Sequence, residues 1–111
     1  MALIVKLLAH GVTNSGSVTG LYSVSAPKLG AIVDNLRFVN NLGSPVTVNL
    51  FVKPSTGPSA GSQIRLLTMN TSVPVNDILV VKPELTLGPS DAIEVATSAA
   101  MDYVISGVER T

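Results

Sequence analysis

Apolar residues in this chain recur at every second position, in short runs separated by Gly, Pro, Ser and Asn. β-Branched side chains dominate the runs, which is the pattern of antiparallel strands burying one face. The clearest run is 46–52, where Val46, Val48, Leu50 and Val52 share one face and Thr47, Asn49 and Phe51 share the other. The run 31–39 reads similarly, with Ile32, Leu36 and Phe38 inward and Asn35 and Arg37 outward. Asp34 breaks that alternation and marks a bulge or a strand edge. Between the two runs, Asn40-Asn41-Leu42-Gly43-Ser44 predicts a hairpin turn, because Asn and Gly tolerate positive φ.

Further strands are expected at 63–68, 78–81, 92–97 and 103–108, with shorter ones at 21–24 and 3–8. In 92–97, Ile93 and Val95 alternate with Ala92 and Glu94. No segment sustains a helical period, and the best helix candidate, 97–101, is too short to nucleate alone. The expected fold is all-β: a single-domain antiparallel β-sandwich, jelly-roll-like, of about eight strands. Residues 1–20 read as an N-terminal strand or arm with a polar linker from His10 to Gly20, and 21–111 as the sandwich body. The stretch 54–61, rich in Pro, Ser and Gly, reads as an exposed, mobile turn between strands.

Composition sharpens this picture in one respect. Of 111 residues, 46% are hydrophobic and only 13% charged, with seven basic side chains balancing seven acidic ones. A single packed domain is expected, and disorder is not. A soluble monomer usually carries about 25–35% charged residues on its surface. A chain with so few reads as one whose surface is meant to be covered by neighbours. No basic cluster is present to neutralise phosphates, so nucleic acid is not an expected partner. The start, Met1 to Ala9, has no basic segment before its apolar run and is interrupted by Lys6. It reads as a strand or docking arm, and no membrane partner is expected.

The residues offer little chemistry. Cysteine is absent, and His10, the one histidine, falls in the polar linker, where it reads as solvated. A lone His cannot supply a common zinc or copper set, and nothing orients it for a Ser-His-Asp arrangement. The seven carboxylates are Asp34, Asp77, Glu84, Asp91, Glu94, Asp102 and Glu109. A glycosidase would need two of them across an aromatic-lined cleft, whereas the chain has only Tyr22, Phe38, Phe51 and Tyr103 and no Trp. Asp77 and Asp91 stand directly before expected strands, where turn and capping roles are routine. No phosphate-cradling glycine motif or EF-hand spacing occurs. Catalytic, cofactor and metal residues are therefore expected to be none, and the chain is not expected to be an enzyme.

The stretch Leu21-Tyr22-Ser23-Val24-Ser25-Ala26-Pro27-Lys28-Leu29-Gly30-Ala31-Ile32-Val33 resembles a widespread group of short bacteriophage structural proteins. These carry a Leu-Tyr-x-Val-Pro-Ala strand, a turn and an Ala-Ile-Val strand, followed by a Val-Thr-Val-x-Leu strand and a Gly/Ser-rich loop. Here that second half is 46–52 and 54–62, and the ending from Met101 to Glu109 is similar to the group's close. Ser25 stands where the group usually has Pro, which puts the stiffness of that turn in doubt. The resemblance covers most of 21–110 and implies a virion component assembled in the host cytoplasm, with no catalytic residues to carry over.

The expected role is a capsid decoration, or cement, protein that binds and bridges major capsid subunits or other virion subunits. It is expected to act as a homo-oligomer, with a trimer the first guess. The expected contact residues are Leu3, Val5 and Leu7 on the arm and Ser55, Thr56, Gly57 and Pro58 on the loop. The arm could add a strand to a neighbour's sheet or be an edge strand of its own domain. The alternative role is a tail or fibre module binding a host receptor glycan, which would call for aromatics on a loop tip.

Overall fold

The computed structural model describes residues 3–25 and 27–111, with no helix among them. Met1, Ala2, Ala26 and the side chain of Leu3 lie outside the described part. Ten segments are strands: β1 (Leu3–Val12), β2 (Val18–Ser23), β3 (Gly30–Val39), β4 (Val46–Lys53), β5 (Ile64–Arg65), β6 (Thr71–Val73), β7 (Ile78–Val81), β8 (Leu85–Leu87), β9 (Ala92–Thr97) and β10 (Asp102–Arg110). One sheet runs β1-β10-β3, with β7 and β8 end to end along the far side of β3. The other runs β2-β9-β4, with β5 and β6 sharing the far side of β4.

Ten segments thus fill eight strand positions, four in each sheet. The breaks within the split positions have local causes. Pro83 has no N–H to give a ladder, and Glu84 after it takes a left-handed φ of 49°. Asn70 does the same at 53° between β5 and β6. The chain crosses from sheet to sheet in going from β1 to β2, β2 to β3 and β3 to β4, and again in going from β6 to β7, β8 to β9 and β9 to β10. That alternation of antiparallel strands between two packed sheets is a jelly roll.

The inner faces supply the core. Val33, Leu36 and Phe38 of β3, Val46, Val48 and Leu50 of β4, Ile93 and Val95 of β9, and Tyr103 and Ile105 of β10 are all buried. The alternation expected for 46–52 is therefore the one observed, though Phe51 on the outer side is also covered.

Three expectations are corrected. Ile32 points outward and Val33 inward, because the β3–β10 register slips between Ser106 and Gly107 and leaves Asp34 without a partner. One extra residue reverses the side to which every earlier residue points. Asn40–Ser44 is not a hairpin, since β3 and β4 lie in different sheets. The buried Asn40 side chain steers the crossing: its Nδ2 donates to the carbonyls of Ser44, Val73 and Pro74 at 3.0, 3.0 and 3.1 Å, and its Oδ1 accepts from Leu42 N. The expected strand 63–68 shrinks to Ile64–Arg65, and Thr71–Val73 and Leu85–Leu87 are strands that the alternation did not mark.

The stretch read as a linker is divided. His10 to Val12 complete β1, Val18 to Gly20 open β2, and only 13–17 connect the sheets. Thr13 pins that connection: its hydroxyl lies 2.7 Å from the Thr97 hydroxyl and accepts from Met101 N at 3.0 Å. β1 itself is an edge strand of its own sheet, paired with β10 from Leu3↔Arg110 to Val12↔Asp102.

The registers also fix which parts share an end of the sandwich. Leu3 lies beside Arg110, and Arg110 beside Gly30, while Lys53 pairs with Ala92 and Ala92 with Ser23. The start of β1, the 25–29 connection and the loop after β4 therefore emerge at one end. His10 to Thr13, 40–44 and 98–101 sit at the other.

Candidate interaction surface

The two outer faces differ in chemistry. On the β2-β9-β4 sheet the outward residues form a polar network. Asn49 Oδ1 accepts from Arg65 at 2.8 Å and from Asn70 N at 2.9 Å, Asn49 Nδ2 donates to Asn70, and Gln63 donates to Glu94 at 2.8 Å. The Arg65 guanidinium also lies over the Phe51 ring, 5.1 Å from its centre, which explains how an outward aromatic is buried. This face is solvated by its own side chains.

The outer face of the β1-β10-β3 sheet has no such cover. Val5 and Leu7 on β1 are 83% and 56% exposed, and Ile32 on β3 is 47% exposed. Val12, Ile78, Val80 and Val104 continue the exposed apolar surface towards the other end. Val5, Val108, Ile32 and Thr86 are cross-strand neighbours in one row, so their side chains adjoin. Two shallow grooves flank that row and share Ile32 and Val108. One, of about 560 Å³, is bounded by Leu29, Thr86 and Arg110. The other, of about 390 Å³, is bounded by Val5, Leu7 and Asp34.

Behind this face lies a buried ionic cluster that sequence reasoning missed. Glu109 of β10 is 2% exposed. Its Oε2 accepts from the Tyr22 hydroxyl at 2.5 Å and lies 2.8 Å from Lys28 Nζ, and its Oε1 lies 3.0 Å from Lys6 Nζ. One carboxylate thus ties β1, β2 and the 25–29 connection to β10. Burial alone would raise its pKa, but hydrogen bonds from Lys28, Tyr22 and Lys6 and the charge of Lys28 outweigh burial and hold it down to about 2. Burial pushes the Tyr22 hydroxyl well above the usual tyrosine range, and the Glu109 carboxylate beside it adds to the rise. The signal was in the strand pattern: Tyr103, Ile105, Gly107 and Glu109 alternate, which places an acid on an inward position.

The proposed loop residues sit in an exposed loop with a fixed base. Ser55 donates through its N–H and hydroxyl to Asp91 Oδ1 at 2.8 and 2.9 Å, and Gly61 N donates to Pro54 O at 2.8 Å. Asp91 Oδ2 also accepts from Gly88 N at 2.8 Å. Burial opposes ionisation of Asp91, yet the Ser55 and Gly88 donors win and lower its pKa. The turn role expected for Asp91 is the one seen. Thr56, Gly57 and Pro58 project beyond this anchor and are exposed, with Gly57 at a φ of 90° that favours glycine.

Among the described residues no group of three or more His, Cys, Asp or Glu side chains gathers to hold a metal ion. Tyr103, Phe38 and Phe51 are buried and Tyr22 is committed to Glu109, so no aromatic is presented on a loop tip for a sugar to stack on.

The fold and surface define a class: a small jelly roll with one polar face and one largely apolar face. No protein-family model matches the chain, and no curated protein does. Among solved structures, the chain superposes on part of a protein in the structure of infectious bursal disease virus Gt strain, with a TM-score of 0.51 and 12% identity over 96% of this chain. Chains of the T13 viral particle of the same virus (TM-score 0.45, 13% identity, 98% of this chain) and of its T=1 particles (0.39, 13%, 97%) score lower. The likeness to the Gt strain structure is one of fold. This chain spans about a third of the length of the matched viral chains, 31%, 31% and 30% respectively.

Proposed function

We propose that this chain is a structural subunit of a virus particle, acting as a capsid decoration protein that binds and bridges major capsid subunits. The observation that carries the reading is the uncovered apolar face of the β1-β10-β3 sheet beside a solvated opposite face. Exposed apolar surface of this kind marks a site of interaction with a partner. The shared fold with a chain of a virus structure supports the same reading. Bacteriophage origin rests on the sequence resemblance over 21–110 alone and draws nothing from the matched structures. Assembly in a host cytoplasm, action as a homo-oligomer and no role for nucleic acid, membrane or cofactor belong to the same proposal.

Leu3, Val5 and Leu7 on β1, with Ser55, Thr56, Gly57 and Pro58 on the loop, are the proposed contacts. The registers bring the start of β1 and this loop to the same end, so both can meet one shell surface. Many such weak contacts, repeated over a symmetric shell, add by multivalency. The test is cryo-electron microscopy of purified particles. Hundreds of copies on the shell support decoration, a few dozen at the tail support a fibre role, and absence from particles overturns the proposal.

A further inference from the structure

We infer that the outer face of the β1-β10-β3 sheet is the docking surface for a second copy of this chain, packed face to face about a two-fold axis. This rests on the reading of that face as protein-covered and names the neighbour.

Charge and area point to a second copy. The chain is neutral, with seven acidic and seven basic side chains, so two copies do not repel. On the central strand of the face, Asp34 and Arg37 are both exposed and face outward. They stand about 10 Å apart along β3. A two-fold axis in the plane of the interface, perpendicular to β3 and midway between them, sets Asp34 of each copy against Arg37 of the other. The same operation lays the Val5–Val108–Ile32 row over the Val12–Asp102–Val39 row of the second copy, so most of what meets is apolar on apolar. The face is largely apolar, and Asp34 and Arg37 on β3 are placed to be complementary across the axis, with the exposed Asp102 and Arg110 of β10 at its opposite ends.

The face is large enough. β3 and β10 have ten and nine residues, about 30 Å of strand, and four strand positions span roughly 19 Å. Covering it buries on the order of 600 Å² per copy before the rim is counted, close to the roughly 800 Å² per side of a stable interface. The arrangement takes Val5 and Leu7 into the two-fold contact and leaves the 54–61 loop, which belongs to the other sheet, as the part of the proposed shell contact that stays open.

Sedimentation equilibrium of the full chain tests this with five variants. Wild type is expected at twice the 11.4 kDa chain mass, and Ile32→Glu at the single mass with its cooperative thermal transition retained. Ser72→Glu, on the polar face, is expected to remain dimeric. Asp34→Arg and Arg37→Asp each weaken the dimer about tenfold, and the double swap restores it, because the exchanged charges still meet across the axis. A wild-type chain that stays monomeric up to about 100 μM, an Ile32→Glu variant that stays dimeric, or a double swap without rescue overturns the inference. A monomer that still coats particles removes the second-copy partner and leaves the structural role standing. A dimer of this geometry that never enters particles supports the inference and removes the role.

Discussion

At the scale of single residues, stability at low pH turns on Glu109. Its carboxyl is held at about 2 in the folded chain, against an ordinary value near 4.5. Above 4.5 it is ionised whether folded or unfolded, and its full contribution is present. As pH falls from about 4.5 towards about 2, the unfolded chain takes up a proton that the folded chain refuses, and stability drains away. The contribution lost is on the order of 3 kcal/mol. Urea unfolding between pH 6 and pH 2 is expected to show that decline in wild type. Glu109→Gln is expected to be about 3 kcal/mol weaker at neutral pH, because Lys6 and Lys28 lose their counter-charge, and flatter across the acid range. Asn40 is a second point of dependence. Asn40→Ala strands three carbonyls and one N–H at the β3–β4 crossing and is expected to lower stability by about 2–3 kcal/mol in the same assay.

At the scale of strands, the alternation of 46–52 and 92–97 was legible because neither strand carries an extra residue of its own; the slip in the β2–β9 pairing falls at Leu21 of β2. The run 31–39 was legible only in part. Asp34 announced a bulge, but which residues it turned outward depended on β10, whose partner at the slip is Gly107. A Cβ at Gly107 would sit 2.1 Å from the Ile32 carbonyl oxygen, so only glycine lets the two backbones approach there. Gly107→Ala is expected to cost more than about 3 kcal/mol or to prevent folding, measured as loss of the cooperative thermal transition. The short strands β5, β6 and β8 were not legible, since two or three residues carry no period. Nor was the ionic cluster, because Lys6, Tyr22, Lys28 and Glu109 are brought together only by pairing between the two ends of the chain.

At the scale of the molecule, composition foretold a surface short of charge, and the fold shows where the shortage lies. The few ions are not spread evenly: Arg65 and Glu94 join the polar network on one face, while Glu109, Lys6 and Lys28 are turned inward and spent on holding β1 in place. That leaves the β1-β10-β3 face with mostly aliphatic side chains between a few exposed polar ones, Asp34, Arg37 and Asp102 among them. β1 is therefore better tested by substitution than by deletion, since removing it would uncover Glu109 and open β10 as a bare edge.

Because the chain has no cysteine, one introduced thiol reports on one place. Particles carrying Ile32→Cys or Ser72→Cys can be exposed to a water-soluble maleimide and the labelling rates compared. The apolar face is expected to be covered in the particle, with Ile32→Cys labelled at least about tenfold more slowly than Ser72→Cys. Equal labelling at the two positions would show that face open to water and contradict the account.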